Sequence, residues 1–166
     1  MDKQEKKYKV DSFDEIKRKL KVFHAPKVKE AVSVHYYGQR NDNNVEKFVE
    51  HADRIEIHIL EESAGKFILK ENKEIASKDE GFSWLKKQGY STAQIVKMEH
   101  EDYSYQDGMV GLYTIDDFHY SVILYYPPDR HAAMEKEFGL ENAEVITIPY
   151  NKMLAEMGKL RLLKLE

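Results

Sequence analysis

The sequence predicts an α+β fold in which a largely antiparallel sheet of about eight strands is flanked by helices. Strand-like and helix-like segments are clustered along the chain rather than strictly alternating, which is typical of this class. About seven or eight strands are predicted, a number that could close into a barrel. The 166 residues are about the length of one domain, and neither a linker nor a repeat interrupts them. We therefore expect a single domain over residues 1–166.

The helices are predicted from the signals at their ends. Two segments, Ser12–Glu15 and Ser77–Glu80, have the spacing of a capping box, and each precedes a helical pattern. The second helix is expected to end at Gly89 and a third at Gly139, because glycine favours the left-handed conformation that ends many helices. A fourth helix is predicted over residues 149–157.

The strands are predicted from alternating or β-rich segments between turn residues. Gly65 lies in the short connection of a predicted hairpin. Asp107-Gly108 and Asp116-Asp117 separate three later strands, which indicates an antiparallel meander. The predicted strands are residues 5–10, 31–37, 53–60, 66–71, 93–101, 109–115, 118–126 and 143–148, with residues 160–165 also extended.

Composition excludes several classes of protein and site. The chain has no cysteine, which removes disulfides, thiolate nucleophiles and cysteine-ligated zinc. No apolar run approaches the roughly 18 residues of a membrane-spanning helix, and the first nine residues do not resemble a secretory signal. A cytoplasmic protein with no membrane partner is expected. The net charge of −4 argues against a nucleic-acid partner.

Charged side chains alternate along three predicted strands, so each strand has one charged face. Faces that point outward would simply be solvated. If the sheet closes on itself, the charges point inward, where they must pair or bind an ion because unpaired buried charge is unfavourable. Such a barrel would hold a charged ligand. The three faces consist of Lys3, Glu5 and Lys7; Arg54, Glu56 and His58; and Lys97, Glu99 and Glu101.

The histidines show no spacing that is typical of metal ligands. His58 and His100 lie in predicted strands, close to Glu56, Glu99 and Glu101. This arrangement is typical of ordinary pairs on the polar face of a strand. A metal site made of histidine and carboxylate is the alternative interpretation.

Short motifs follow one another along nearly the whole chain in an order that resembles the CYTH superfamily. These triphosphate tunnel enzymes include class IV adenylate cyclases, thiamine triphosphatases and inorganic tripolyphosphatases. Their E-x-E-x-K strand is similar to the segment Lys3–Lys7, which keeps the second glutamate and the lysine. The other resembling segments are Val34–Tyr37, Asp53–Glu56, Phe67–Lys70, Gly89-Tyr90, Lys97–Glu99, Gly111–Asp117, Gly139-Leu140 and Tyr150–Leu154.

The resemblance implies a β-tunnel whose inward bases bind a triphosphate and whose carboxylates hold Mg²⁺ or Mn²⁺. It assigns metal binding to Glu5, and it assigns no catalytic residue. Mg²⁺ or Mn²⁺ is expected as a cofactor only if the protein is an active enzyme. The residues to which the resemblance assigns ligand binding are Lys7, Arg54, Lys70 and Lys97.

Several positions depart from the family pattern. Lys3 stands where the first glutamate is expected, and Glu56 and Glu99 stand where second arginines are expected. The strand at residues 120–126 contains no carboxylate. Glu99 or Glu101 could replace the missing metal ligands only in a different strand register. Most of the carboxylates that the family uses for metal binding are therefore absent from this alignment.

Three functions remain open. The preferred one is a divergent CYTH-like protein that binds a triphosphate-containing or other anionic small molecule in its tunnel, with the family's catalysis weakened or lost. The alternative is an active metal-dependent triphosphatase or class IV adenylate cyclase. A second alternative is an internally salt-bridged scaffold or partner-binding module. A monomer or a homodimer is expected in each case.

Overall fold

The computed structural model describes residues 2–64 and 66–166. Over these ranges it contains ten strands and four α-helices, with a 3-10 turn at Pro128–Arg130. The helices are α1 (Asp14–Val22), α2 (Lys78–Lys87), α3 (His131–Phe138) and α4 (Tyr150–Glu156). The strands are β1 (Gln4–Val10), β2 (Lys27–Gly38), β3 (Val45–Glu50), β4 (Ile55–Ser63), β5 (Lys66–Ile75), β6 (Thr92–Tyr105), β7 (Gly108–Ile115), β8 (His119–Tyr126), β9 (Glu144–Ile146) and β10 (Leu162–Lys164).

The strands are hydrogen-bonded in the order β5-β4-β3-β2-β6-β7-β8-β1-β9, and β10 pairs with β6. Antiparallel pairing joins β1 to β8 and β9, β3 to β2 and β4, β4 to β5, β7 to β8, and β10 to β6. The predicted α+β fold with a largely antiparallel sheet is confirmed. Among the described residues, no helix is long and apolar enough to cross a bilayer.

Contacts group the chain into two compact units. The first, here called the N-terminal unit, contains the residues up to Ala31 together with Glu99–Thr147. The second, here called the central unit, contains Val32–Met98 and Ile148–Glu166. The long strands β2 and β6 contribute to both units. The prediction of a single domain stays a prediction.

The core of the N-terminal unit lies between α1, α3 and one face of the sheet. Ile16 and Leu20 of α1, with Met134 of α3, pack among buried side chains of β1, β7 and β8, such as Tyr8 and Leu124. Each side chain of this size stabilises the fold by about 1.5–3 kcal/mol when it is fully buried. Because side chains alternate along a strand, the neighbouring residues project from the opposite sheet face.

The core of the central unit lies between α2 and the strands β2, β3 and β4. The rings of Tyr36 and Phe48 stack with centroids 4.5 Å apart, and Phe82 of α2 meets both rings edge-on. Gly81 brings the backbone of α2 against the sheet, since a Cβ there would lie 2.7 Å from the Phe48 ring. Tertiary packing therefore positions this helix.

Helix α4 covers the other sheet face of the central unit. Gln94 of β6 is 1% exposed, and its Nε2 donates a hydrogen bond of 2.8 Å to the backbone oxygen of Asn151. The preceding residue, Ala93, packs in the core that contains Leu85 of α2. Since successive residues of β6 face opposite sides, α2 and α4 pack on opposite faces of the sheet.

The predicted capping boxes had different outcomes. The Ser77 box is confirmed, because Ser77 Oγ accepts from the Glu80 backbone N–H and the Glu80 carboxylate accepts from the Ala76 N–H. The Ser12 box is wrong: Ser12 Oγ accepts from the Asp14 N–H, and Phe13 is the N-cap residue. Glu15 instead binds Arg18 one turn later, so its carboxylate supports the helix as a salt bridge.

The predicted helix ends, hairpin and meander are confirmed. Gly89 and Gly139 have φ values of +97° and +69°, in the left-handed region that glycine favours. Strands β4 and β5 pair as predicted, and Gly65 in their connection lies outside the described residues. Strand β3 was absent from the predicted strands.

Candidate functional site

Polar side chains lie on the sheet faces that are opposite the α1, α2 and α3 cores. Lys7, Asp102 and Glu56 among them are buried, whereas Glu5 is exposed. In the N-terminal unit they are carried by alternate residues of β1, β6 and β7. In the central unit they are carried by β2, β3, β4 and the residue after β3. We call the first group, which comprises Glu5, Lys7, His100, Asp102 and Tyr113, the lysine cluster. We call the second group, which comprises His51, Glu56 and His58, the histidine cluster.

Lys7 is the most buried basic group of the lysine cluster. Its exposed fraction is 8%, although the neighbouring Lys9 on the same strand is exposed. In the sheet register Lys7 lies between Ile123 of β8 and Ile146 of β9. Burial lowers the pKa of Lys7 from 10.5 to about 8, and the negative charge of Glu5 offsets this only in part.

A histidine and a tyrosine are stacked in the same cluster. The rings of His100 and Tyr113 have centroids 4.7 Å apart and are nearly parallel. His100 Nδ1 lies 3.2 Å from Asp102 Oδ2. Gly111 leaves room for this arrangement, because a Cβ there would lie 2.7 Å from the Tyr113 ring and 3.1 Å from Asp102 Oδ1.

Two carboxylates influence Tyr113. Burial raises the pKa of Tyr113, and the negative charges of Asp102 and Glu5 raise it further. Tyr113 therefore stays a neutral hydrogen-bonding group at physiological pH. The lysine cluster thus combines one buried ammonium, two carboxylates and two aromatic rings on one sheet face.

The histidine cluster lies in the hairpin between β3 and β4. His51 Nε2 is 3.1 Å from Glu56 Oε1, and His58 Nε2 is 3.5 Å from Glu56 Oε2. The three ligand atoms all lie within 4.8 Å of one another. Burial would raise the pKa of Glu56, but the hydrogen bond and positive charge of Arg54 lower it overall.

A second buried lysine lies beside the histidine cluster. Lys47 of β3 is paired in register with His58 of β4. Its Nζ is 2.9 Å from His35 Nδ1 and donates to the Tyr37 hydroxyl at 3.3 Å. Burial, followed by the positive charge of Lys47, lowers the pKa of His58 to about 4. His58 is therefore a neutral imidazole at physiological pH.

The four predicted ligand-binding bases are placed differently. Lys7 lies in the lysine cluster with the predicted metal ligand Glu5. Arg54 is bound to Glu56 at 2.5 Å and to Asp53 at 3.0 Å. Lys70 is half-exposed, and its Nζ lies 3.6 Å from Glu61.

Lys97 lies on the sheet face opposite His100 and Asp102. It shares the face of Ile95, which packs against the α2 core, whereas Val96 and Met98 project from the other side. Farther along the Lys97 face, Glu101 lies 3.8 Å from Lys17 of α1 and 3.6 Å from Lys27. The charged face predicted on this strand is therefore the one toward the helices.

Sequence reasoning missed several residues of the two clusters. Asp102, Tyr113 and His51 were not assigned to any site, and His100 was considered only for an alternative metal site with neighbouring glutamates. Lys47, beside the histidine cluster, was not assigned either. The spacing of apolar residues in the sequence could have indicated His100 and Asp102. The apolar residues Val96 and Met98 precede His100 and Asp102 at a spacing of two, which places all four on one strand face.

Solved structures with the same fold come from archaea, bacteria and plants. A Pyrococcus horikoshii protein matches with a TM-score of 0.76 and 16% identity over 89% of this chain and 96% of its own. A candidate adenylate cyclase from Vibrio parahaemolyticus matches with a TM-score of 0.68 and 16% identity over 93% and 98% of the two chains. A candidate adenylyl cyclase from Hippeastrum is described as having a dominant triphosphatase activity. It matches with a TM-score of 0.62 and 12% identity over 96% of this chain and 97% of its own.

The chain has the fold of these solved structures. The CYTH-like fold that the motifs predicted is therefore confirmed, and identities of 12–16% show a likeness of fold alone. No protein-family model and no curated protein matches this CYTH-like chain. The function of the CYTH-like protein must therefore be argued from its own side chains.

Proposed function

We propose that this CYTH-like protein binds a triphosphate-containing or other anionic ligand at the lysine cluster, with the family's catalysis weakened or lost. The observation that carries the proposal is the burial of Lys7, the lysine of the E-x-E-x-K motif, on a sheet face with other polar groups. A buried ammonium is unfavourable unless a negative charge lies close to it. Glu5 supplies part of that charge, and an anionic ligand would supply more and raise the pKa of Lys7.

The other three bases contribute less to this proposal. Arg54 is already held by Glu56 and Asp53, so a phosphate would compete with two carboxylates. Lys70 is solvated on β5, where screening weakens its attraction for an anion. Lys97 projects from the sheet face toward the α2 core. We therefore propose Lys7 as the principal ligand-binding residue.

A divalent cation fits the lysine cluster only together with a ligand. Mg²⁺ and Mn²⁺ prefer oxygen ligands, and Mg²⁺ is usually held by one or two carboxylates plus phosphates. Glu5 and Asp102 would be those carboxylates. Among residues 2–64 and 66–166, the three-residue set of His, Asp or Glu close enough to hold an ion is the histidine cluster. The bound cation would neutralise phosphate charge.

Asp102 favours a second candidate function. A metal-dependent triphosphatase or class IV adenylate cyclase needs carboxylates on the ligand-binding face, and Asp102 supplies one in addition to Glu5. An internally salt-bridged scaffold is the remaining alternative, for which the Arg54–Glu56 pair is the supporting contact. We propose a cytoplasmic location for the protein under each of the three candidate functions.

Ligand binding is tested by thermal unfolding with tripolyphosphate in the absence of metal. A ligand that binds only the folded state stabilises it by about 2.7 kcal/mol at a hundredfold excess over Kd. We expect the melting temperature of the wild type and of Lys9→Met to rise, and that of Lys7→Met to rise much less. Lys9 is the matched control because it is exposed on the same strand. No rise in the wild type, or equal rises in both variants, would contradict the proposal.

Catalysis is tested with tripolyphosphate, ATP and thiamine triphosphate in the presence of Mg²⁺ or Mn²⁺. The proposal predicts little or no release of phosphate or cyclic AMP by the wild type. Rapid release that is lost in Glu5→Gln and in Asp102→Asn would instead establish the second candidate function. Ligand binding without release, together with the Lys7→Met result, would support the divergent binding protein.

A further inference from the structure

The hairpin between β3 and β4 brings three potential metal ligands together within eight residues. His51 follows Glu50, the last residue of β3, and its backbone N–H donates to the Arg54 carbonyl at 2.8 Å. Glu56 and His58 are two residues apart on β4, so both project from the same sheet face. The turn therefore folds the His51 imidazole back over the position where Glu56 and His58 project.

The distances in this hairpin agree with those around a small metal ion. Ligands bound tetrahedrally at about 2.0–2.1 Å from zinc lie roughly 3.3 Å from one another. Glu56 Oε1 lies 3.1 Å from His51 Nε2, Glu56 Oε2 lies 3.5 Å from His58 Nε2, and one ligand atom from each residue lies within 4.8 Å of the others. The side chains are also well buried, with exposed fractions of 17% for His51, 10% for Glu56 and 19% for His58. An ion could enter without unfolding the hairpin.

The contact between His58 and Glu56 is longer than an ordinary hydrogen bond. His58 Nε2 is buried and lies 3.5 Å from Glu56 Oε2, whereas N–H···O hydrogen bonds usually span about 2.7–3.2 Å. Glu56 contacts three partners, because Oε1 lies next to both Arg54 and His51 while Oε2 faces His58. In metal sites, a ligating carboxylate is commonly hydrogen-bonded by a neighbour that orients it. Arg54 occupies that orienting position.

We infer that His51, Glu56 and His58 form a binding site for a divalent transition-metal ion such as Zn²⁺. Two imidazoles and one carboxylate suit zinc and similar ions, whereas Mg²⁺ and Ca²⁺ prefer oxygen ligands. Three protein ligands leave a position for water or an anion. None of these three residues belongs to the lysine cluster, and the inference does not depend on the proposed phosphate ligand.

Neighbouring positive charge weakens the site in a testable way. Lys47 lies opposite His58 in the β3–β4 register, and its charge acts on that imidazole. Removal of this ammonium takes away repulsion against a divalent cation. We therefore expect Lys47→Met to bind Zn²⁺ more tightly than the wild type.

The experiment is a zinc titration of the untagged full chain after treatment with a chelator and removal of the chelator. Zn²⁺ affinity is measured by competition with a chromophoric indicator, and Co²⁺ is used in parallel for its visible absorption. We expect one Zn²⁺ per chain in the wild type and at least a tenfold loss of affinity in His58→Gln. The matched control is His119→Gln, because His119 is also a buried strand histidine but lies in the N-terminal unit.

Two further measurements keep the result unambiguous. Circular dichroism of each metal-free variant shows whether it folds. If His58→Gln does not fold, Glu56→Gln provides a second variant in which one ligand is removed. Absence of zinc binding by the wild type would overturn the inference. Equal affinities of the wild type, His58→Gln and Glu56→Gln would also overturn it, since the zinc would then be bound elsewhere.

Discussion

At the scale of single residues, Lys7 shows how strongly position decides chemistry. Lys6, Lys7 and Lys9 lie on one strand, and Lys7 is the buried one, so that its pKa is lowered to about 8. Lys6 binds Glu135 of α3 instead. The E-x-E-x-K motif predicts Lys7 as a ligand-binding residue, and its spacing places Lys7 on the same strand face as Glu5. It could not give the burial, which depends on the isoleucines supplied by β8 and β9.

The lowered pKa of Lys7 predicts a characteristic pH dependence of stability. Below about pH 8 the folded and unfolded chains both carry the charge, and the fold bears the full desolvation penalty, about 3 kcal/mol. Between pH 8 and 10.5 the unfolded chain holds a proton that the folded chain has lost, so the Lys7 contribution to stability rises with pH. Lys7→Met should therefore be more stable than the wild type at pH 7, with a smaller difference at pH 10.

Urea unfolding followed by circular dichroism at both pH values measures this difference. Lys9→Met is the control, and its stability relative to the wild type should change little between pH 7 and 10. A Lys7→Met difference that stays constant or grows with pH would show that Lys7 remains charged in the folded protein at pH 10.

At the scale of elements, local signals predicted the ends of helices better than the faces of strands. The Ser77 cap and the glycines after α2 and α3 depend on neighbouring residues only, and the structure agrees with them. Strand β3 was missed because Val45, Phe48 and Val49 are all buried although they occupy both faces. A strand covered on both sides does not alternate between apolar and polar residues, so its sequence lacks the period of two.

Strand β6 carries polar side chains on both of its faces. The charges of Lys97, Glu99 and Glu101 suggested a ligand face, but Glu101 pairs with Lys17 and Lys27 on the helix side. The buried polar groups are on the other side, at His100 and Asp102. Only tertiary contacts reveal which of two polar faces is turned toward a helix, and no single sequence contains that information.

The cap of α2 gives a prediction for one element. Ser77→Ala removes the hydroxyl that accepts from the Glu80 N–H, which should destabilise the protein by about 1 kcal/mol. Ser83→Ala, at an exposed position within the same helix, should be neutral or slightly stabilising, because alanine has the higher helix propensity. Trp84 lies in α2, so its fluorescence during urea unfolding reports both changes. Equal stabilities of the two variants would contradict the role of the cap.

At the scale of the whole molecule, the distribution of charge predicts binding of small anions rather than of long polyanions. Residues 1–29 contain ten Lys and Arg against five Asp and Glu, although the chain as a whole carries −4. Many of these bases are already paired, as Lys6 is with Glu135 and Arg18 with Glu15. The expectation that the protein has no nucleic-acid partner stays a prediction. A single buried lysine can still bind a compact anion.

This contrast predicts different responses to salt and to ligand size. Attraction between exposed charges is screened beyond about 10 Å at 0.1 M salt, whereas a buried charge is screened much less. We therefore expect tripolyphosphate to raise the melting temperature of the wild type at both 0.05 M and 0.3 M salt. A 20-base-pair DNA duplex should show no binding by fluorescence anisotropy even at the lower salt concentration, because the net negative charge repels it. Tight duplex binding that weakens steeply with salt would mean that the basic segment, rather than Lys7, is the anion site; Lys7→Met would then bind tripolyphosphate as well as the wild type does.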